Sequence, residues 1–377
     1  MPGTKNRALR FILLLGMVSL LGDIVYEGTR GVIGPFLASL GASAAVVGAA
    51  SGLGEFLGYG LRPLSGYLSD RWGGYWPLTF LGYLALLSLP FLCLAGSWEL
   101  AVLLLLVERM GKAVRTPPRD AMLSHAASRV GRGWGFALHE ALDQVGAVIG
   151  PLLIAFLFSL RGYRGTFSFL FLPTFLLLVF LLLSWRLYPH PSKLERGEGR
   201  GKSEESFRLY LLFVVFSTCG FLTFPLLAYH LTSPFSEAEV PLLYALAMGT
   251  DALFALWAGK TYDRRGLSSL LLVPLLSLPI APLVFLWGGR MAGLLGVVFW
   301  GAAMGMQETV MRAAVGEMVP SRRRGTAYGL FSSLYGLSGF AGNALMGVLY
   351  SSPNLLVTFS VTAELLSLPF LLLLVRR

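Results

Sequence analysis

Apolar residues follow one another along this chain in long runs rather than in short alternating stretches. Runs such as Leu100–Val107, Phe167–Trp185 and Leu365–Val375 are apolar on every side of a helix. A helix of about 20 apolar residues crosses the roughly 30 Å hydrocarbon layer of a bilayer. A membrane β-barrel instead needs short strands that alternate apolar and polar positions. The pattern therefore predicts membrane-spanning α-helices.

We predict twelve such helices, separated by short gaps that hold much of the charge. The predicted segments are 9–38, 43–69, 75–95, 99–127, 132–160, 165–187, 207–232, 239–262, 268–288, 291–318, 323–350 and 354–375. The composition agrees, because 55% hydrophobic and 13% charged residues in a chain of 377 exclude a water-soluble enzyme. The predicted fold class is an all-α polytopic membrane protein.

Arginine and lysine residues concentrate in every second gap. The basic gaps and ends hold Lys5, Arg7, Arg10, Arg71, Arg129, Arg132, Arg264, Arg265, Arg322, Arg323, Arg324, Arg376 and Arg377, and the gaps between them only Arg161, Arg164 and Arg290. By the positive-inside bias, we expect both termini in the cytoplasm and the protein in the inner (plasma) membrane. Basic loops beside anionic lipid also account for the net charge of +10, so no nucleic-acid partner is predicted.

Other classes of protein fit the sequence less well. Met1–Leu21 has the basic start and apolar run of a signal peptide, but Asp23 interrupts the run and no small-residue cleavage site follows. Cys93 and Cys219 make neither a disulfide framework nor a CxxC metal site. Glycine runs such as Gly52–Gly54 lie inside spanning segments rather than after a strand, and no nucleotide-binding motif occurs in the sequence, so we predict neither catalytic residues nor a cofactor.

The longest polar stretch, 188–206, is charged and glycine-rich and divides the helices six and six. We therefore expect an N-terminal six-helix bundle over 1–187, a cytoplasmic linker over 188–206 and a C-terminal six-helix bundle over 207–377. Both bundles contain the same short pattern, which indicates duplication and pseudo-symmetry. Parallel repeats of this kind favour a rocking transporter with its site between the halves.

The repeated pattern is Gly66-Tyr-Leu-Ser-Asp70-Arg71-Trp-Gly73, which reappears 193 residues later as Gly259-Lys-Thr-Tyr-Asp263-Arg264-Arg-Gly266. The first copy resembles the loop between helices 2 and 3 of the major facilitator superfamily, although Gly74 and Tyr75 stand where basic residues often follow. Four stretches resemble a prokaryotic subgroup of exporters that includes nickel-resistance proteins. They are Asp23-x-x-x-Glu27, Arg62–Arg71, Gly111–Ala121 and His139–Asp143.

A further motif, Gly146-x-x-x-Gly150-Pro151 in helix 5, resembles the antiporter motif of drug/proton exchangers. The resemblance to the superfamily covers the whole chain and implies a monomeric transporter that works by alternating access. The antiporter-like motif implies export. Physically, the two glycines leave a flat face where another backbone can approach, and Pro151 loosens the next turn; tight packing alone explains them equally well.

A set of residues where helices end at the cytoplasm is predicted to form gates. There, charges can pair with helix ends or with opposing charges and hold one state closed. The predicted gate residues are Arg62, Gly66, Asp70, Arg71, Arg119, Asp120, Asp263 and Arg264. Arg119 and Asp120 follow a predicted helix break at Pro117-Pro118. A solvated loop would explain one Asp-Arg pair, but explains its repetition less well.

The candidate substrate and proton site consists of charged residues near mid-membrane, because an uncompensated charge there is costly and usually faces a wet cavity. These residues are Asp23, Glu27, Arg30, Glu55, Arg109, His139, Asp143, Asp251, Glu308 and Arg312. On helix 1, Glu27 is within reach of Arg30, which leaves Asp23 to exchange a proton. A permanently ionised structural pair is the alternative. Lys112 and Arg115 give the expected cavity mixed sign.

One pair of candidates leaves the substrate class open. His139 and Asp143 lie one turn apart, which suits either a divalent ion or a proton relay, but no metal ligands are assigned because histidines are few. The predicted function is proton-coupled export of a small organic molecule by a secondary active transporter in contact with membrane lipids. The alternatives are a divalent-metal exporter of the nickel type and a non-transporting membrane receptor or lipid-handling protein.

Overall fold

A computed structural model describes residues 2–195, 203–231, 233–235 and 239–376. Residues 196–202, which belong to the predicted linker, lie outside the described residues. Within the described ranges the chain forms sixteen α-helices and no β-strand. The helices are α1 Pro2–Arg30, α2 Ile33–Ser39, α3 Ala44–Gly60, α4 Arg62–Trp72, α5 Tyr75–Leu84, α6 Trp98–Val130, α7 Arg132–Phe169, α8 Phe171–Leu187, α9 Glu204–Gly220, α10 Phe224–Leu231, α11 Val240–Arg265, α12 Leu272–Ser277, α13 Gly289–Met306, α14 Arg312–Met318, α15 Arg324–Val348 and α16 Pro353–Val375.

Shorter helical segments connect or extend these helices. Six are 3-10 turns, at Ala85–Ser88, Pro90–Leu94, Pro191–Leu194, Gly266–Leu271, Ser321–Arg323 and Leu349–Ser351, and two are π-helical, at Pro282–Trp287 and Gln307–Met311. The second π-helical segment holds Glu308 and joins α13 to α14. Because a π-turn widens the helix locally, such segments often occur at functional positions.

Seven stretches of the described chain are long and apolar enough to cross a membrane: Thr4–Arg30, Tyr75–Leu94, Arg132–Leu187, Glu204–Leu231, Leu242–Trp287, Gly289–Met318 and Pro353–Val375. Arg132–Leu187 and Leu242–Trp287 contain 56 and 46 residues, enough for two crossings each. In the first of them the chain turns at Gly162, with φ 59° and ψ −168°. The predicted spans 43–69, 99–127 and 323–350 correspond to α3 with α4, to α6 and to α15, so each of the twelve predicted segments is mainly helical over its described residues.

Two predictions about helix breaks were wrong. Helix α6 continues through Pro117 and Pro118, where a break was expected. The carbonyl of Val114, which cannot bond to Pro118, instead accepts a hydrogen bond from Ser65 Oγ at 2.6 Å. Conversely, the predicted single helix 207–232 is interrupted at 221–223, between α9 and α10.

The structure divides into two compact units. The first comprises Met1–Val130, Ala141–Gly197 and Ser321–Ser333; the second comprises Gly131–Glu140, Glu198–Pro320 and Leu334–Arg377. In the first unit α6 packs against α1, α3, α4 and α5, and α1 packs against α8. In the second, α11 packs against α13, and α9 against α16. The division of the sequence into halves around 188–206 stays a prediction.

The antiporter-like glycines of α7 pack against the backbone of α1 in the first unit. A Cβ at Gly146 would overlap the carbonyl oxygen of Leu20, and one at Gly150 would lie 2.8 Å from the carbonyl oxygen of Ile24. The expected close approach of two backbones is therefore present, and Pro151 continues the same helix. Only glycine allows this spacing, since any side chain would push the helices apart.

Candidate functional site

A cluster of charged and aromatic side chains joins α1, α3 and α6 in the first unit. Arg109 lies 3.2 Å from the Glu55 carboxylate and donates to the hydroxyl of Tyr26. The Lys112 ammonium lies 3.7 Å from the centroid of the Tyr26 ring. Tyr26 is therefore held between two cations, by its hydroxyl and by its ring face. The cluster has the mixed sign that the sequence predicts.

Asp23 lies one turn before Tyr26 and Glu27 on α1, and its side chain is only partly exposed. Four charged groups act on its carboxyl electrostatically, namely Asp143, Lys112, Glu27 and Arg119. Among the described residues no hydrogen bond or ion pair to Asp23 is present. Side chains of both charges thus surround Asp23, but among the described residues none of them forms an ion pair with it.

Glu27, by contrast, is paired with its neighbour. Arg30 lies 3.6 Å from the Glu27 carboxylate, and the Arg30 side chain is 54% exposed. An ion pair this exposed contributes little to stability. The pairing expected from the sequence is present, and it leaves Asp23 as the separate carboxylate of this helix face.

Arg119 and Asp120 lie inside α6 rather than after a break. The Arg119 guanidinium donates to the Asp120 carboxylate at 3.0 Å and to Ser19 Oγ at 3.0 Å. Both side chains are buried. The hydrogen bond between Arg119 and Ser19 connects α6 with α1, the two helices that also contain Lys112 and Asp23.

A second charged group occupies the second unit. Arg312 on α14 donates to Glu140 on α7 at 3.0 Å and to Glu308 at 2.7 Å. Glu140, which the sequence analysis did not select, is 1% exposed. The candidates His139 and Asp251 are fully buried in the same unit. Arg312 therefore bridges two carboxylates.

At one predicted gate, the Asp70 carboxylate binds the beginning of α15. It accepts hydrogen bonds from the Gly325 amide at 2.9 Å, the Thr326 amide at 2.7 Å and the Thr326 hydroxyl at 2.7 Å. A carboxylate is well placed there, because the first amides of a helix have no partners within it and the helix dipole is positive at that end. Gly66 allows the approach, since a Cβ there would overlap the carbonyl oxygen of Gly325.

The repeated Asp263 makes the equivalent contact in the second unit. Its carboxylate accepts hydrogen bonds from the amides of Gly133, at 2.8 Å, and Trp134, at 2.9 Å, at the beginning of α7. The internal repeat of the sequence thus corresponds to a repeated interaction: an aspartate at the end of one helix holds the first amides of another.

The remaining gate candidates differ in their surroundings. Arg62 is buried at the start of α4, where its Nε donates to the Gly58 carbonyl at 2.9 Å near the end of α3. Arg71 is exposed and donates to the Tyr67 hydroxyl at 3.3 Å. Arg264 is exposed. Asp70 and Asp263, rather than the arginines beside them, therefore make the contacts between helices at these positions.

Beside Asp70 lies a buried network that sequence reasoning missed. His125 Nδ1 is 2.9 Å from the Glu195 carboxylate, which also accepts from Arg324, the first residue of α15. Arg129 donates to the carbonyl oxygens of Leu194, at 2.6 Å, and Glu195, at 2.7 Å. Burial acts to raise the pKa of the Glu195 carboxyl, but the hydrogen bond with His125 and the charge of Arg324 outweigh it, so the pKa lies below its ordinary value.

Known proteins resemble this chain along most of its length. The Major Facilitator Superfamily profile matches residues 13–343 and 209–377. An uncharacterized protein of Mycobacterium tuberculosis is 43% identical over 376 residues, which is 96% of this chain and 92% of that protein. The multidrug resistance protein MdtH of Salmonella newport is 27% identical over 290 residues, 73% of this chain and 71% of that protein.

Two solved structures share the fold. A bacterial homologue of the iron transporter ferroportin, in an outward-facing state, has a TM-score of 0.73 at 19% identity over 97% of this chain and 100% of that chain. The human organic anion transporter MFSD10 has a TM-score of 0.71 at 18% identity over 98% of this chain and 99% of that chain. At these identities the likeness shows the fold of two pseudo-symmetric six-helix bundles.

Proposed function

The chain belongs to the Major Facilitator Superfamily and is a multi-pass membrane transporter, and we propose that it exports a small organic molecule in exchange for protons. Membership of this family favours transport over the alternative of a non-transporting receptor or lipid-handling protein. Export is supported by the sequence relationship to a multidrug resistance protein and by the resemblance of Gly146-x-x-x-Gly150-Pro151 to the antiporter motif. We further propose residence in the inner (plasma) membrane as a monomer, with both termini in the cytoplasm.

The proposal of proton coupling is based on the exposure of Asp23 and on the charged side chains around it. Asp23 is partly exposed and without an ion-pair partner among the described residues, yet Lys112, Arg119, Glu27 and Asp143 all act on it. Two cations favour its ionised form and two carboxylates favour its protonated form. A proton and a cationic or polar substrate therefore compete for one carboxylate, which is the requirement for exchange.

The fixed ion pairs around Asp23 have a different role. Glu55 and Tyr26 hold Arg109, and Ser19 and Asp120 hold Arg119. These groups position the cations, because each charge already has a partner. Arg312, with Glu140 and Glu308, does the same in the second unit.

Alternating access requires contacts that form in one state and break in another. Asp70 on the start of α15 and Asp263 on the start of α7 are suited to this role, because each holds a helix N-terminus through hydrogen bonds that water can replace. We propose that both contacts close the cytoplasmic end together and open together.

Thermal stability of the detergent-purified protein tests this function against a panel of organic cations, organic anions, lipids and nickel. A ligand of the folded state stabilises it by about 2.7 kcal/mol at about 100 times its Kd. We expect an organic compound to raise the Tm, less so in acid, and not to do so in Asp23→Asn. Glu99→Gln, an exposed change at the start of α6, should behave as wild type. Stabilisation by nickel alone would contradict the proposal and favour the metal exporter.

A further inference from the structure

A buried glutamate in the middle of α16 has no role in the site described above. Glu364 lies halfway along Pro353–Val375 and is 1% exposed. At about 1.5 Å per residue it is roughly 16 Å from either helix end, which places it at the centre of the bilayer. The sequence signal was present, since Glu364 is the single charged residue of this helix.

Among the described residues, one serine hydroxyl and no cation lies against Glu364. Ser217 on α9 donates to its Oε2 at 3.2 Å, whereas the Ser277 hydroxyl on α12 donates to the Val273 carbonyl at 3.0 Å. Its Oε1 is buried without a hydrogen-bond partner among the described residues. The titratable side chains on the elements packed against α16 are Glu204, Glu205, Arg208, Tyr210, Cys219 and Tyr350, and within the described chain none of them interacts with Glu364.

An ionised carboxylate in this position would be costly. It would lack a counter-charge at mid-membrane and would lie beside the last turn of α9, whose unpaired carbonyl groups carry partial negative charge. Glu140 provides the contrast within the same unit: it is equally buried, but Arg312 lies 3.0 Å away. The two glutamates therefore differ in partner, not in burial.

The predicted span 207–232 is interrupted directly after the last turn of α9. Residues 221–223 are not helical, Phe221 is extended, and side chains from other helices bind this break. Asn343 donates to the Phe221 carbonyl at 2.9 Å and accepts from the Thr223 amide at 2.7 Å, and Trp300 donates to the Leu222 carbonyl at 2.7 Å. Broken helices in transporters often surround ion sites, because their free backbone groups face a charge.

Glu364 packs directly against the residue that precedes this break. A Cβ at Gly220 would lie 3.1 Å from Glu364 Cγ, and the Gly220 carbonyl accepts from Ser360 Oγ at 2.7 Å. A negative charge on Glu364 would repel the end of α9, and a proton removes this repulsion. We propose that Glu364 is a second proton-binding site, held by Ser217, whose occupancy controls the position of α9 against α16.

The role of this site in transport rests on the proposed proton coupling, but the binding of the proton does not. Dicyclohexylcarbodiimide, a lipid-soluble reagent for protonated carboxyl groups, tests the binding on the full chain in detergent. Peptide mass spectrometry should find Glu364 modified, decreasingly as the pH rises, and Glu140 unmodified at every pH. Absent or pH-independent modification of Glu364, or equal modification of both residues, would overturn the proposal.

The coupling to α9 is measured with spin labels at Leu212 on α9 and Leu355 on α16, which are 42% and 57% exposed, after replacement of Cys93 and Cys219. The distance distribution should change with pH in this background and stay constant once Glu364→Gln is added. Glutamine keeps the size and hydrogen bonds of a neutral glutamate, so a purely structural Glu364 would leave the two responses identical and refute the coupling. Neither measurement needs a substrate, so failure here leaves the Asp23 proposal standing, and success here does not establish export.

Discussion

The Asp70 carboxylate accepts hydrogen bonds from both the amide and the hydroxyl of Thr326, each at 2.7 Å. The two residues are 256 positions apart, in different halves of the sequence. The Gly325 amide also donates to this carboxylate, so one charged group accepts three hydrogen bonds at the N-terminus of α15. Hydrogen bonds to a charged group stabilise more than neutral ones, so this contact is a measurable part of the stability of the described state.

Loss of the Asp70 charge should destabilise that state. For Asp70→Asn we expect a loss of about 1.5–3 kcal/mol, because an amide cannot replace the charge at the helix N-terminus. Thermal unfolding in detergent measures it, with the exposed Arg71→Ala as the control within about 0.5 kcal/mol of wild type. Combination with Thr326→Val should be non-additive, since the residues interact; strict additivity would show that the contact does not form.

The Glu195 network predicts a pH dependence. The folded-state pKa of Glu195 lies below its ordinary value, so its stabilising effect is complete above the pKa of the unfolded chain, about 4.3. It is lost as the pH falls through the folded-state pKa. We therefore expect Glu195→Gln to lower the Tm at neutral pH, and the difference from wild type to shrink below about pH 4.

The matched control for that experiment is Glu204→Gln, at the exposed start of α9. It should show a small difference from wild type at every pH. A Glu195→Gln difference that stays constant or grows in acid would contradict the assignment of a lowered pKa. It would also show that the contacts with His125 and Arg324 do not depend on the carboxylate charge.

Gly339 lies 193 residues after Gly146, the same spacing that separates Asp70 from Asp263, yet substitution at these two equivalent glycines should have unequal effects. Gly146→Ala would force a methyl group onto the Leu20 carbonyl, whereas the nearest atom to a Cβ at Gly339, the Thr218 carbonyl oxygen, lies 3.8 Å away. We expect Gly146→Ala to cost about 1–3 kcal/mol by overpacking, and Gly339→Ala to be neutral or stabilising by up to about 1 kcal/mol. Equal Tm values for both variants would contradict the close packing of α7 on α1.

Removal of all three charges of the Arg312 group should be tolerated better than removal of its cation alone. Glu140→Gln leaves the largely buried guanidinium with one carboxylate instead of two, so we expect a loss of about 1.5–3 kcal/mol. Arg312→Met removes the cation from two carboxylates and should cost more, about 3–5 kcal/mol. The triple change Glu140→Leu, Glu308→Leu and Arg312→Met should recover part of that larger loss, because apolar replacements avoid the desolvation of the ions. Unfolding curves of the three variants decide this, and a triple variant less stable than Arg312→Met would refute the pairing.

The helices could be predicted from the sequence because membrane-spanning runs are long and their signal is local. For example, the predicted segment 132–160, which contains Gly146 and Gly150, lies within α7. The continuity of α6 could not, since the lost bond of Pro118 is replaced by Ser65, 53 residues earlier. Likewise, the break at 221–223 depends on Asn343 and Trp300, which lie far along the chain.

Within the candidate site, contacts between residues close in sequence could be predicted, whereas contacts between distant segments could not. Charges within one turn, such as Glu27 with Arg30 and Glu308 with Arg312, pair as their spacing predicts. The network of His125, Glu195 and Arg324 was missed because its members come from three distant segments. Glu364 was missed for a different reason: it has no charged neighbour in sequence, and its isolation is itself the signal.

Proton flux in proteoliposomes loaded with a pH-sensitive dye tests whether Asp23 exchanges a proton during export. An organic compound that stabilises the protein is applied as a gradient, and the internal pH is followed for wild type, Asp23→Asn and Glu99→Gln. We predict proton movement opposite to the compound in wild type and Glu99→Gln, and movement at the level of protein-free vesicles in Asp23→Asn. Equal proton movement in wild type and Asp23→Asn would contradict proton exchange at Asp23. Transport of the compound without proton movement in wild type would contradict proton-coupled export.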